Sequence, residues 1–202
     1  MNVHIELPIN ASVACLDGDC GHSLELVVNP QERQVTHLVV QENTVERNER
    51  LIPVGMISAT GPDGIRLCCT RDELQDFEIF CDRDVLAMAK PERVPDVNGT
   101  YHTYSLTRRI IVENKTIPPG EFSFDQNTVV EATDGRVGRL VKLLINPEEE
   151  SITHLVVSSG SPFSLGEVNI PASAIRNFTS YSIELNLSKK QVKKLRRIRS
   201  LP

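Results

Sequence analysis

The 202-residue chain lacks the features that mark membrane-spanning, secreted or disulfide-rich proteins. No apolar run approaches the roughly 20 residues that cross a bilayer, and the first residues carry neither the basic segment nor the apolar core of a signal peptide. Five cysteines, an odd number, favour reduced thiols over a disulfide framework. A net charge of −5 argues against a general nucleic-acid binder. Since 40% hydrophobic and 24% charged residues are ordinary globular values, we expect a folded cytoplasmic protein.

Charge is distributed unevenly along the chain. Residues 1–100 contain 17 acidic against 8 basic residues, whereas residues 101–202 contain 10 against 14. The positive excess of the second part comes from seven residues near the C-terminus: Lys189, Lys190, Lys193, Lys194, Arg196, Arg197 and Arg199. The sequence therefore describes an acidic body with one basic end.

The chain contains an internal repeat. A shift of 117 positions aligns residues 13–42 with residues 130–159 without a gap, and thirteen of these thirty positions are identical. After one inserted residue the offset becomes 118 and the match continues, so that each copy covers about 75 residues. The identical pairs include Asp17 with Asp134, Gly18 with Gly135, Gly21 with Gly138, and His37 with His154.

The repeat predicts two domains, residues 1–77 and residues 121–202. Residues 78–120 belong to neither copy, and their prolines and glycines are typical of a connector. Apolar residues at 104–106 and 110–112 predict short strands within it, so we expect the connector to be partly structured.

Each copy has the spacing of short strands joined by tight turns, which predicts a mainly β fold. The pairs Asp17-Gly18 and Asp134-Gly135 are favoured hairpin turns, because both positions tolerate positive φ. Each copy ends in a helix start, with the capping boxes Thr70-x-x-Glu73 and Ser188-x-x-Gln191. Five or six short strands must close on themselves to bury their apolar faces, so we expect two small tandem barrels, each followed by a short helix.

The recurring pattern resembles the PRC-barrel domain family. The likeness rests on V-x-x-x-D-G-x-x-G, then N-P, then T-H-L-V-V, followed about a dozen residues later by Ile-Pro, and it covers both copies. The family is named after the cytoplasmic domain of the photosynthetic reaction-centre H subunit, and it includes the C-terminal domain of a ribosome-maturation factor. The resemblance implies a six-stranded barrel in each copy and a binding or scaffolding role without one fixed activity.

The cysteines invite a metal or redox interpretation, which the repeat argues against. Cys15, Cys20, Cys68 and Cys69 align with Ala132, Val137, Asn186 and Leu187 in the other copy. Three of these four positions therefore hold an aliphatic residue in the second copy, as expected for small buried hydrophobes. We predict no metal site and no cofactor.

The two repeated histidines, His37 and His154, have identical Thr-His-Leu-Val-Val surroundings. Such residues can act as proton relays or ligands, but no serine or cysteine recurs at a fixed offset to serve as a nucleophile. We therefore predict structural hydrogen-bonding roles for both histidines, no catalytic residue, and turn roles for Asp17, Gly18, Gly21 and their counterparts.

The basic C-terminal segment is open to two interpretations. From Ser188, apolar residues Val192, Leu195 and Ile198 recur at three-residue spacing, which predicts an amphipathic basic helix of about three turns. Its seven cations could bind anionic lipid, RNA or an acidic protein surface. Alternatively, the helix packs on its own barrel and the cations are merely solvated or complement the helix dipole.

The sequence favours a non-enzymatic scaffold or adaptor that binds a protein partner. The alternative is an accessory of a photosynthetic or respiratory membrane complex that tunes proton or electron transfer, as the H-subunit domain does, with the protein peripheral at the membrane. Candidate partners are another protein, an anionic membrane surface and a second copy of the chain; specific nucleic-acid binding is not expected.

Overall fold

The computed structural model describes residues 4–158, 166–195, 197 and 198, apart from some side chains between positions 84 and 109 and at 197 and 198. These residues divide into two compact units. One contains the residues up to Phe80 together with those from Ile117 onward, and the other spans Cys81–Thr116.

The chain is mainly β, as the sequence predicts. Its strands are β1 (Ile5–Pro8), β2 (Ser12–Cys15), β3 (Gly18–Asn29), β4 (Gln34–Glu42), β5 (Glu49–Pro53), β6 (Ile57–Gly61), β7 (Gly64–Leu67), β8 (Cys81–Pro95), β9 (Tyr101–Lys115), β10 (Phe122–Phe124), β11 (Val129–Ala132), β12 (Gly135–Ile145), β13 (Ile152–Ser158), β14 (Glu167–Pro171), β15 (Ile175–Phe178), β16 (Ser182–Leu185) and β17 (Arg197–Ile198). The short helices are α1 (Arg71–Leu74) and α2 (Lys189–Val192), and 3₁₀ turns cover Val54–Met56 and Ala172–Ala174.

The larger unit contains two large sheets with the same strand order. In the first, β5-β4-β3-β2-β7-β6 are neighbours; in the second, β14-β13-β12-β11-β16-β15 follow the same path and β17 extends it beyond β14. Each element of the first sheet thus has its counterpart 117 or 118 positions later. Within the described residues, strand pairing does not close either sheet into a ring.

The first strand of each copy is exchanged between the two sheets. Strand β1 pairs antiparallel with β12 of the second copy, with Leu7 opposite Leu143. Strand β10 pairs in the same way with β3 of the first copy, with Phe124 opposite Leu26. Leu7 and Phe124 are counterparts at the 117 offset, and both are fully buried in one continuous core. The division into domains 1–77 and 121–202 stays a prediction. The pairings of β1 and β10 join the two copies through backbone hydrogen bonds.

A backbone bridge between the two copies shows that they are related by an approximate twofold axis. Gln34 forms an antiparallel bridge with Ser151, its own counterpart. On either side, the Val35 N–H donates to the Glu150 carbonyl at 3.1 Å, and the Ile152 N–H donates to the Arg33 carbonyl at 2.8 Å. Because each bond is the image of the other at the 117 offset, the axis passes between positions 34 and 151.

The repeated turn differs by one position from the prediction. Cys15 pairs with Gly18, so the two loop residues are Leu16 and Asp17, and Gly18 opens strand β3. The second copy repeats this arrangement, with Ala132 opposite Gly135. Gly18 and Gly135 have φ of +135° and +114°, which explains why glycine occupies both positions.

The second repeated glycine of each copy, Gly21 or Gly138, is required for a different reason. A neighbouring strand approaches its backbone closely. A Cβ on Gly21 would lie 1.9 Å from the backbone oxygen of Gln41, and a Cβ on Gly138 would lie 1.9 Å from that of Ser158. Each glycine stands at the bulged junction of β2 with β3 or of β11 with β12. Both positions therefore exclude any side chain.

The predicted three-turn helix at the C-terminus is wrong. Helix α2 ends at Val192, and residues 197 and 198 instead form β17, with Arg197 opposite Val168 and Ile198 opposite Glu167. The edge of β14 offers free backbone groups that this segment satisfies, and consecutive like charges give a longer helix no support.

The short helix α1 is stabilised by its capping box, in which the Thr70 N–H donates to Glu73 Oε2 at 2.8 Å and the Glu73 N–H donates to Thr70 Oγ1 at 3.3 Å.

The smaller unit is a long β-hairpin that occupies most of the predicted connector. Strands β8 and β9 pair antiparallel over fifteen positions, from Cys81 opposite Lys115 to Pro95 opposite Tyr101. The two stretches predicted as strands, 104–106 and 110–112, both lie in β9. We call this two-stranded unit the ribbon.

Candidate functional site

The twofold relation brings each repeated histidine against the residue that immediately precedes the exchanged strand of the other copy. His37 lies beside Glu121 and His154 lies beside His4, and these two neighbours are themselves counterparts at the 117 offset. We call Thr36, His37 and Glu121 the first crossing site, and Thr153, His154 and His4 the second crossing site.

The first crossing site is a hydrogen-bonded chain. The Thr36 hydroxyl donates to Glu121 Oε2 at 2.6 Å, and Thr36 Oγ1 lies 3.0 Å from His37 Nδ1. Because the Thr36 hydroxyl proton is directed at the carboxylate, the hydroxyl oxygen is left to accept a hydrogen bond from His37 Nδ1–H. Burial lowers the pKa of His37, while the carboxylates of Glu121, Glu78 and Glu150 act in the opposite direction.

The second crossing site lacks a carboxylate among the neighbours that shift its histidine. The rings of His4 and His154 meet edge to face with their centroids 5.9 Å apart, and Thr153 Oγ1 lies 3.4 Å from His4 Nδ1. His154 Nδ1 is buried and makes no hydrogen bond to a described residue. Burial and the neighbouring His4 both lower the pKa of His154, so the neutral ring is favoured.

The repeated aspartates hold the helices rather than the hairpin loops alone. Asp17 Oδ1 accepts the N–H of Arg71 at 3.0 Å, and Asp134 Oδ1 accepts the N–H of Lys189 at 2.7 Å. Both donors are the first residue of a helix, where the backbone N–H has no partner within the helix. Partial desolvation acts to raise the pKa of Asp17, but the hydrogen bonds and charge of Arg71 outweigh it and hold this pKa below its usual range.

Three buried thiols lie together in the first half of the larger unit. Cys15, Cys20 and Cys69 all belong to the core, and the Cys20 thiol donates to the Val13 carbonyl at 3.2 Å. Burial raises the pKa of Cys15 to about 12 and that of Cys69 to about 11, and it also raises the pKa of Cys20. These groups are therefore neutral thiols near pH 7, a state in which cysteine is a poor nucleophile and a poor metal ligand. In the described part of the chain, no cluster of three or more His, Cys, Asp and Glu side chains is arranged to hold a metal ion.

The cations of the C-terminal segment fall into three groups. Lys189 is half-buried, whereas Lys190, Lys193 and Lys194 are exposed. Arg197 lies in β17, and Arg196 and Arg199 lie outside the described residues. Beneath the lysines, Val192 is buried and Leu195 packs against the core of the larger unit. The segment therefore packs on its own sheet while three lysines remain exposed to solvent.

The end of the ribbon forms an ordered loop with apolar side chains on its surface. Asp96 Oδ1 accepts the N–H groups of Asn98 and Thr100, each at 2.9 Å, and Asp96 Oδ2 lies 3.0 Å from His102 Nε2. The His102 hydrogen bond, followed by those from Thr100 and Asn98, holds the pKa of Asp96 below its usual range.

Around this loop, Val97 is fully exposed, Tyr101 is 67% exposed and Val94 is 46% exposed. We call Val94, Val97 and Tyr101 the ribbon tip. An ordered loop with three exposed apolar side chains is a surface suited to burial against a partner, because apolar exposure at a fixed geometry is costly in water.

Sequence reasoning missed the ribbon tip and the partners of the two histidines. The signal for the tip was present, because Asn98-Gly99 is a favoured hairpin dipeptide and is flanked by strand-forming residues. The 117 offset already aligned His4 with Glu121, but only the strand exchange places them next to the histidines of the opposite copy.

No protein-family model matches the chain, and a search of curated proteins finds no significant match. Among the described residues, no helix is both long enough and apolar enough to span a membrane.

Proposed function

We propose that this chain is a non-enzymatic scaffold that binds another protein, built from two PRC-barrel-like halves that each close into a small barrel. The twofold arrangement with exchanged strands supports a rigid body, because each half contributes a buried strand residue to the other. The pattern D-G-x-x-G and T-H-L-V-V supports the family assignment, and the sheet order β5-β4-β3-β2-β7-β6 is consistent with a small barrel.

The ribbon tip is the observation that carries the proposed binding role. Aromatic and aliphatic side chains that stand on an ordered loop lose little conformational entropy when a partner covers them. The hydrogen bonds of Asp96 fix the loop before binding, and Val97 and Tyr101 supply the apolar contact. We propose that these two residues are the energetic centre of the interface.

The test uses two variants of the tip and two matched controls. Val97→Asp and Tyr101→Asp should remove a partner that native protein captures from lysate, and the effect should persist when the identified partner is purified and titrated directly. Val45→Asp and Tyr181→Asp are the controls, because Val45 is fully exposed and Tyr181 is 86% exposed at other places on the surface. Equal binding by the tip variants and the controls would contradict the proposed interface.

A second candidate is an accessory at a membrane complex, and the exposed Lys190, Lys193 and Lys194 favour it. Adjacent lysines near a surface attract anionic lipid by about 1 kcal/mol each. Sedimentation with vesicles of phosphatidylserine and phosphatidylcholine would show binding that falls with salt and is lost when the three lysines become glutamates. Binding that is absent, or unaffected by the charge reversal, would rule this candidate out.

A further inference from the structure

The ribbon has an unusual strand arrangement for its length. Among the described residues, β8 and β9 pair only with each other, over fifteen positions. A two-stranded hairpin is marginally stable in water, whereas three or more strands are ordinarily required for independent stability. Each outer edge of the ribbon also presents backbone N–H and C=O groups that the hairpin itself does not pair.

The two edges of the ribbon differ in their capacity to accept another strand. Strand β8 contains Pro91 and Pro95, which lack the N–H that a ladder needs. Strand β9 contains no proline from Tyr101 to Lys115. In its second part, Ile111 is 63% exposed and Ile110 is 38% exposed. A long strand without proline and with exposed aliphatic residues is the pattern expected of an edge that pairs.

The sequence of β9 is complementary to itself when it runs antiparallel about Ile111. In that register Arg109 stands opposite Glu113 of the second strand, and Ile110 stands opposite Val112. Both pairs occur twice because of the twofold symmetry, so two opposite-charge pairs flank a centre of six aliphatic residues. Glu113 is exposed, with Arg83 of its own ribbon 3.2 Å away. Cross-strand pairs of these kinds are stabilising, and like charges in the same positions are destabilising.

We propose that the β9 edge binds the same edge of a second copy of this chain, antiparallel and centred on Ile111. Two ribbons then form one four-stranded sheet in the order β8-β9-β9-β8. The occupant is a second copy because β9 pairs unlike charges and aliphatic residues with its own sequence in this register, so no other protein is needed to supply them. This association is independent of the ribbon tip, so it does not rest on the proposed partner binding.

The decisive experiment uses two single variants of the full chain, Arg109→Glu and Glu113→Arg. Each variant places like charges opposite each other in its own dimer, so each should self-associate at least about tenfold more weakly than native protein. A mixture of the two variants restores unlike pairs at both positions. Sedimentation velocity on the separate and mixed proteins should therefore show two monomers that form a heterodimer when combined.

A further pair of variants separates edge pairing from general apolar contact. Ile111→Lys places two cations on the symmetry axis and should abolish the native dimer, whereas Val97→Lys alters the ribbon tip and should leave it intact. Circular dichroism of each variant checks that the fold is retained. A native protein that is monomeric over a wide concentration range would overturn the proposal. Single variants that dimerise as well as native protein, or a mixture that stays monomeric, would also overturn it.

Discussion

The two halves of the larger unit share their strand arrangement but differ in the side chains that meet where each exchanged strand begins. Each half has the same strand order, the same buried glycine and the same exchanged strand. The residue before that strand is Glu121, beside His37, at the first crossing site. At the second crossing site it is His4, beside His154. The duplication has therefore kept the residues that strand packing requires, whereas the polar contacts between the halves have diverged.

The largest loss of stability should follow substitution of the glycine that the two halves share, Gly21 or Gly138. Gly21→Ala and Gly138→Ala should each cost about 3 kcal/mol or more of unfolding free energy, because the new Cβ would collide with a backbone oxygen that cannot move alone. Denaturant unfolding measures the loss. Gly18→Ala is the control, since a Cβ there meets nothing within 4 Å and only the positive φ is strained, at about 1–3 kcal/mol. A smaller loss at Gly21 than at Gly18 would show that the strands do not approach so closely.

A smaller effect is expected at the helix starts. Asp134→Ala removes the acceptor for the Lys189 N–H and should cost about 1 kcal/mol, whereas Asp134→Asn keeps an acceptor oxygen and should cost less. The Asp17→Ala change should act in the same direction in the first half. If thermal unfolding of Asp134→Ala matches that of native protein, the aspartate does not stabilise α2.

The two crossing sites should contribute differently to the loss of stability at low pH. The pKa of each histidine is lower in the folded than in the unfolded chain, so the unfolded state takes up protons first as the pH falls below about 6.5, and stability declines. His4→Gln removes a neighbour that lowers the pKa of His154 and should reduce the decline. Glu121→Gln removes a neighbour that raises the pKa of His37 and should increase it.

Urea unfolding at about pH 7 and about pH 5 measures both changes. His154→Gln is the matched control, because His4→Gln should have little further effect on the pH dependence once His154 is absent. Identical pH dependence in the His4 and Glu121 variants would contradict the assigned difference between the sites.

The smallest expected effect concerns the buried thiols. Cys20→Val should change stability by less than about 1 kcal/mol, because Val137 occupies the corresponding position of the other half and also packs on the core. Elemental analysis of native protein should find no stoichiometric zinc. One zinc per chain that disappears in the Cys20 variant would overturn the assignment of these cysteines as core residues.

Much of the local structure could be predicted from the repeat, because strand spacing, turns and caps are set by residues close in sequence. The capping box at Thr70 and the strand at 110–112 are examples. The turn at Asp17 was predicted one position too late, since a glycine with positive φ can occupy the strand start as well as the loop. The exchange of β1 and β10 could not be predicted, because either arrangement buries Leu7 and Phe124 in the same alternating pattern.

The strand in the C-terminal segment could not be predicted for a related reason. Three-residue spacing of Val192, Leu195 and Ile198 fits a helix, but a one-turn helix followed by an edge strand also buries Val192 and satisfies β14. Tertiary pairing therefore decides the backbone where local preference is weak.

The strand exchange between the halves is tested most directly by hydrogen exchange on a Leu7→Ala variant. Leu7 is fully buried and belongs to β1, which pairs with β12, and its loss should cost about 2–5 kcal/mol. Native-state exchange should become faster in 135–158 of the second half, and a Phe124→Ala variant should show the mirror image in 18–42. Faster exchange confined to 18–42 in the Leu7 variant would contradict the exchange of strands.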